Sequence, residues 1–295
     1  MEPQRWRFRG NMCSTYLWQG QEMNGIRKWQ GYLIQSDGDS HWISSPWKLN
    51  NLCVFGFDSD YTTLAISLLR YLSIENSTLS LSSIDEVIDE QALQASVDLC
   101  LEPSGYQIKC NNDASLHIFM TNQGNFTQPD EAMEQIDQEL YETITVAWQD
   151  ESNIMNTSQG AYVSGQQYDG TLESRLSLVA QNHHGMIWPP RQMDSKGENI
   201  GESLIKIEPY GSVTSWTRLS AAGAPSEFAI RAPILGGIST VMVRTNDGPN
   251  GVFLLVDDQN MSPQIGDSVE IVVRRLYAQE GITRYGAKAM IINRS

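Results

Sequence analysis

A chain of 295 residues, 40% hydrophobic and with eight tryptophans, has the material for one large domain or two ordinary ones. Its formal net charge of −15 repels phosphate backbones and anionic membrane surfaces, which disfavours general nucleic-acid and membrane-surface binding. No apolar run approaches the ~18 residues that cross a bilayer, and Met1-Glu2-Pro3-Gln4-Arg5-Trp6 has no apolar leader, so the expectation is a soluble, cytoplasmic protein.

Residues 28–45 predict a hairpin. Trp29, Tyr32 and Ile34 lead into Ser36-Asp37-Gly38-Asp39, and Trp42-Ile43 leads out. The Asp-Gly pair suits the positive backbone angles of a tight turn. Leu52–Phe57 reads as a buried strand. Asp58 and Asp60 then read as helix-capping carboxylates, because Tyr61, Leu64, Ala65, Leu68, Leu69 and Leu72 repeat at helical spacing. A second helix is expected from the capping box Ser83-x-x-Glu86. A third is expected after Thr127, with Asp130, Glu131 and Glu134 near its positive end and Met133, Ile136 and Leu140 on one face. Leu116–Met120 and Thr143–Trp148 read as strands. This alternation predicts an α/β, or α+β, domain over residues 1–165. Residues 150–171 lose their aliphatic content and read as a linker or surface loop.

From residue 211 to 295 the pattern is all strand. Ser212–Thr217, Phe228–Ile230, Ile238–Val243, Val252–Val256, Val269–Val273 and Ala289–Ile292 are the candidates, with Asn246-Asp247-Gly248-Pro249 as a turn. Five or six short strands separated by turns predict a small barrel.

No residue set reads as catalytic. Cys13, Cys53, Cys100 and Cys110 lack C-x-x-C spacing and read as reduced, mostly buried thiols. A nucleophilic thiol needs a helix N-terminus or a base to lower its pKa. Neither Cys100 nor Cys110 sits in the Gly-rich turn that would expose one, and Cys53 lies in an apolar run. His183 and His184 read as a solvated loop, and His117, between apolar neighbours, as a satisfied core histidine. Gly236-Gly237 has no following Lys-Ser/Thr and is not a phosphate loop. Six arginines, Arg218, Arg231, Arg244, Arg274, Arg275 and Arg284, make the barrel less acidic than the remainder.

Five elements occur in order: Gly185-x-x-Trp188-Pro189-Pro190-Arg191; Gly211-x-Val213-x-Ser215-Trp216-Thr217; Pro225-x-Glu227-Phe228 with Ala232-Pro233; Gly248; and Ile265-Gly266-Asp267-x-Val269. Together they resemble the DUF35 family, an OB-fold barrel preceded by a rubredoxin-like zinc ribbon. The four positions that hold cysteine in such a ribbon read Gln181, His184, Asp194 and Gly197. The expectation is therefore a degenerate ribbon over residues 166–210, without metal, held by packing of Trp188 and the two prolines. The resemblance implies a non-catalytic accessory or scaffold subunit for an acyl-CoA-processing enzyme of the thiolase or hydroxymethylglutaryl-CoA synthase type. It implies coenzyme A or acyl-CoA as a loosely held ligand, with none bound tightly. Trp188, Arg191, Trp216, Phe228 and Arg231 are the residues expected to meet it. Stacking of single-stranded nucleic acid on Trp216, Phe228 and Phe253 is the less favoured use of the barrel.

A fainter resemblance joins Val54-x-Gly56-Phe57-Asp58-x-Asp60-x-Thr62-x-Leu64-Ala65, and then Ile144–Trp148 with Gly160-Ala161-Tyr162-Val163, to thiolase-superfamily condensing enzymes. It implies a shortened condensing domain and, as an alternative function, an acyltransferase.

Overall fold

The computed structural model describes residues 25–74, 79–121, 124, 126, 129–154, 172, 176–182, 185–191, 193–199, 203–224, 226–259 and 261–293. Cys13, His183, His184 and the Gly160–Val163 motif lie outside them, as do residues 155–171 of the expected linker.

The first part opens with strands β1 (Ile26–Trp29), β2 (Tyr32–Asp37) and β3 (Ser40–Ser44). The predicted hairpin is β2–β3, and Asp37 faces Ser40, so the two loop residues are Gly38-Asp39. Gly38 takes the positive φ of 56° that such a turn requires. Short strands β4 (Trp47–Leu49) and β5 (Leu52–Val54) follow. Only Cys53 of β5 is buried, and Leu52 is 68% exposed. The expected buried strand Leu52–Phe57 therefore stops early, because the chain turns to lay Phe57 and Asp58 against the barrel.

Helix α1 (Tyr61–Leu72) forms as the spacing predicts. Asp60 caps it: its carboxylate accepts the Thr63 amide at 3.0 Å, and the Thr63 hydroxyl accepts the Asp60 amide at 2.9 Å. Leu64, Leu68, Leu69 and Leu72 are buried, each contributing about 1.5–3 kcal/mol relative to exposure. Thr62, Thr63 and Ser67 are buried too, because α1 lies between the sheet and the barrel rather than on a surface.

Next come β6 (Leu79–Ser83), α2 (Glu90–Ser96), β7 (Leu99–Leu101), β8 (Tyr106–Cys110) and β9 (Ser115–Phe119). The second helix thus starts six residues later than the capping box suggests, with Asp89 rather than Ser83 as its cap. Ser83 closes a strand whose Leu79 and Leu81 alternate inward, and Asp89 supplies the cap by accepting the Ala92 amide. Seven strands form one mixed sheet in the order β1-β2-β3-β9-β8-β6-β7. Only β6 pairs in parallel, with β7 and β8, so the α/β character is confined to the β6-α2-β7 edge.

The third helix differs most from expectation. Asp130–Ala132 is a single 3-10 turn, and Glu134–Gln135 is strand β10, paired with β4. Helix α3 runs from Gln138 to Ser152, capped by Asp137, and contains Thr143–Trp148, which the sequence reading assigned to a strand. Its buried residues Ile144, Ala147, Trp148 and Glu151 recur at helical spacing, and that period wins over the β-branched content of the segment.

A small sheet, β12-β11-β13, follows, from β11 (Val179–Asn182), β12 (Met186–Ile187) and β13 (Leu204–Lys206). The last part is β14 (Tyr210–Leu219), β15 (Ile238–Thr245), β16 (Asn250–Leu255), β17 (Ser268–Gln279) and β18 (Ile282–Asn293). They close as β14-β15-β16-β18-β17, with β16 and β18 parallel. That strand order is the five-stranded OB topology. Its interior is apolar: Val213, Val241, Val243, Phe253, Val269, Ile271 and Ala289. Phe228–Ile230, expected as a strand, is instead part of a 3-10 turn leading into the short helix Arg231–Ile234. Pro233 supplies no ladder donor there, and Phe228 packs inward with Ala232 and Ile238.

Candidate functional site

The predicted site residues separate into two places. At one end of the barrel the small sheet is docked by Trp188, whose ring stacks on Phe253 with centroids 5.1 Å apart and planes 25° apart. Phe253 is opposite Val241, and Val241 is opposite Trp216, so these residues form one cross-strand row. Strand β14 is bonded to β17 only over Tyr210–Ser212 and bulges between Val213 and Ser215. Its later half stays paired with β15 alone, and Trp216 ends 42% exposed. Met242 and Val252, paired on the neighbouring strands, are 40% and 61% exposed. Arg191 is exposed beside the small sheet, its amide donating to the Gln181 side chain at 3.1 Å.

That last bond also bears on zinc. Gln181 is buried and receives the Arg191 amide. The Asp194 carboxylate accepts the amides of Lys196 and Glu198, closing a turn, and Gly197 has no side chain. The described residues do not fit the tetrahedral thiolate or imidazole set that zinc needs. Backbone hydrogen bonds hold the turn in its place.

Phe228 and Arg231 belong elsewhere. Arg231 is 1% exposed. Its guanidinium holds Glu151 at 2.7 Å and Asp257 at 2.9 Å, donates to the Leu276 carbonyl at 2.5 Å and lies 3.9 Å over the Trp148 ring. A cation so engaged is not free for a coenzyme phosphate, so the expected ligand role of Arg231 gives way to a structural one. Phe228 sits 5.7 Å below the same guanidinium and edge-on to Tyr277.

Arg231 is one member of a charged joint between the two parts of the molecule. Asp58, fully buried, meets Lys288 at 2.8 Å and Arg274 at 3.6 Å and accepts the Asp257 amide at 3.0 Å. Lys288 also meets Asp257 at 2.8 Å. Trp148 donates its indole N–H to the Phe57 carbonyl at 2.7 Å and carries the Arg275 guanidinium 4.1 Å over its ring. Tyr285 donates to Asp60 at 2.7 Å, and Gln30 donates to Glu270 at 3.2 Å. Asp60 is thus a cap, as expected, while Asp58 is not: it is the centre of this network.

The environment sorts these acids. Burial alone would raise the Asp58 carboxyl, but the Lys288 and Arg274 cations outweigh it and hold it below the ordinary range. Burial, reinforced by the Asp58 charge, pushes Asp258 up to about 7. Burial likewise pushes Glu270 up to about 7, against the hydrogen bond from Gln30. Glu151 is raised by burial, with Arg231 opposing.

Sequence reasoning missed Lys288, Glu151 and Asp257. Two signals were present. Glu151 falls on the buried stripe of α3, and Lys288 is a single charge inside the apolar run Ala287–Ile292. Of the thiols, Cys53 is buried with carbonyl oxygens of Ser45 and Ala114 at 3.6 Å. Burial pushes Cys110 up to about 12. His117 is 6% exposed and stacked on Phe119, but among the described residues neither ring nitrogen has a hydrogen-bond partner, so it is a core histidine that they do not satisfy. Burial lowers its pKa, and Lys109 adds to that. Among the described residues, no three His, Cys, Asp or Glu side chains gather as a metal site, and no helix is long and apolar enough to cross a membrane.

No protein-family model matches the chain, and no curated protein does. One solved structure, titled "Ltp2-ChsH2(DUF35) aldolase", aligns with 46% of this chain and 98% of its own, at 16% identity and a TM-score of 0.32. So loose an overlay carries no weight here; the barrel assignment rests on the strand order and closure described above.

Proposed function

We propose that this chain is a non-catalytic accessory subunit that docks on an acyl-CoA-processing enzyme of the thiolase or hydroxymethylglutaryl-CoA synthase type. The observation that carries the reading is the small sheet seated on a closed OB-order barrel through Trp188 and Phe253. That arrangement fits the DUF35 resemblance of the segment from Gly185 to Val269. Trp216 is exposed at the end of the row that contains Phe253, and aromatic residues of this kind anchor protein interfaces; Met242 and Val252 are a separate exposed pair on the other face of these strands. Trp188, Arg191 and Trp216 remain as contacts for the arm of coenzyme A, loosely held. Phe228 and Arg231 leave that set.

The acyltransferase alternative draws no support from Cys110, whose thiol burial pushes up to about 12, or from Cys53, which is enclosed. One of the two thiolase-like motifs also loses its basis, because Ile144–Trp148 is helical. Nucleic-acid binding loses three of the six barrel arginines, since Arg231, Arg274 and Arg275 face the joint.

The test is affinity capture of the full chain at native expression, followed by identification of the partner and sedimentation of the reconstituted pair. The expected result is an acyl-CoA enzyme, bound at least tenfold more weakly by Trp216→Ala, whose own stability changes by no more than ~0.5 kcal/mol. Recovery of no acyl-CoA enzyme, or equal affinity of the variant, sinks the proposal. Incorporation of radiolabel from acetyl-CoA would move the reading to an acyltransferase.

A further inference from the structure

Beside the charged joint lies a cleft of about 330 Å³. Phe57 and Leu140 line it from the first part of the chain, and Ile234, Leu255 and Met261 from the barrel part. Small-molecule sites run from ~300 to 1,000 Å³, so this one has room for a compact ligand and not for a whole nucleotide-bearing coenzyme.

Arg218 is the cation in its wall. It is exposed, and its Nη2 donates to the Leu235 carbonyl at 3.1 Å, which holds the side chain in place. The side chain lies across the Gly236-Gly237 turn, whose φ angles are 67° and 114°. A Cβ on Gly237 would stand 3.2 Å from Arg218 Cγ and Nε and 2.7 Å from the Leu219 carbonyl oxygen. Glycine is therefore what lets the guanidinium lie flat at the cleft.

Its surroundings set Arg218 apart from its neighbours. Arg231, Arg274 and Lys288 are each paired with buried carboxylates. Among the described residues, no carboxylate stands within ion-pair distance of Arg218. Asp257, the acid in the wall, commits one oxygen to Lys288 and the other to Arg231. An uncompensated guanidinium beside apolar walls, on a chain of net charge −15, suits a ligand with one anionic head and an aliphatic tail.

We infer that the cleft binds a short aliphatic carboxylate, its head on Arg218 and its tail against Ile234, Leu255 and Met261. Arg218 lies two residues from Trp216 on β14, but Trp188, Arg191 and Trp216 do not line the cleft, and the assignment does not depend on the accessory reading.

Calorimetric titration of the full chain with octanoate, 1-octanol and acetate tests it. Octanoate is expected to bind saturably at one site, with the alcohol and acetate at least tenfold weaker. Arg218→Gln should bring octanoate down to the level of the alcohol without moving the thermal midpoint, and Arg218→Lys should keep part of the affinity. No saturable octanoate binding, alcohol binding as tight as octanoate, or an Arg218→Gln chain that titrates like the unaltered one would overturn the assignment. A photoreactive aliphatic carboxylate gives a second readout on the unaltered chain. It should label peptides containing residues 234–239 or 255–261, and labelling confined to other peptides overturns the site even if the variants do not fold.

Discussion

The interior of the barrel and the joint beside it are both sealed from water, yet they are built from opposite chemistry. The barrel is filled by Val213, Val241, Val243, Phe253, Val269 and Ile271, residues whose burial is favourable in almost any relative orientation. The joint is built from Asp58, Glu151, Asp257, Arg231, Arg274 and Lys288, whose contacts are directional and intolerant of loss. An apolar interior lets a part of the chain fold, and the ionic joint sets how the two parts sit against each other. Replacing such a pair with well-packed apolar groups is often neutral or stabilising, but removing one partner strands a buried charge. That asymmetry makes the comparison testable.

The largest effect is expected from Asp58→Ala. It leaves Lys288 with one carboxylate in place of two and, among the described residues, Arg274 with none within ion-pair distance. A loss of about 3–5 kcal/mol is expected by chemical denaturation. A loss below about 1 kcal/mol would mean that the joint contributes no more than a surface ion pair.

Next comes a paired substitution. Arg231→Met alone strands Glu151, which is 1% exposed, and should cost a similar amount. Adding Glu151→Leu should recover a substantial share of that loss, measured as the coupling in a double-mutant cycle. Strict additivity would show that the two side chains do not act as a unit.

The response to pH comes last. Glu270 and Asp258 hold their protons up to about 7 in the folded chain, against ordinary values of 4.5 and 3.8. The native state therefore binds more protons than the unfolded chain between those limits. The stability they contribute is complete below the ordinary values, declines as pH rises toward 7 and stays level above it. Asp58 works in the opposite sense: lowered in the fold, it adds stability above its ordinary 3.8 that is lost as pH falls. Denaturation midpoints between pH 4.5 and 8 should fall with pH, and Glu270→Gln should flatten the fall. An unaltered chain whose midpoint does not move over that range would count against both carboxyls being protonated inside.

The same contrast explains what the sequence made legible. Period-two alternation located the barrel strands, and the leucine stripe located α1, because each signal is local and repeated. Asp60 could be read as a cap because its partner is three residues away. Asp58 could not be read, because Lys288 lies 230 residues further along the chain. Arg231 looked like a free cation for the same reason: Glu151 is 80 residues distant and on another element. The helix and strand errors between residues 127 and 148 came from trusting composition over period. Thr143, Ile144, Thr145 and Val146 favour strands, yet the buried stripe Ile144-Ala147-Trp148-Glu151 is helical.

The long hairpin of β17 and β18, turning at Glu280-Gly281, serves two interiors. Val269, Ile271, Ala289 and Ile291 fill the barrel, while Val273 and Tyr285, farther along the same strands, pack with the leucines of α1 under the large sheet. A chain severed between Ile154 and Val179 would therefore stay together as one particle, because its two fragments share a common spine.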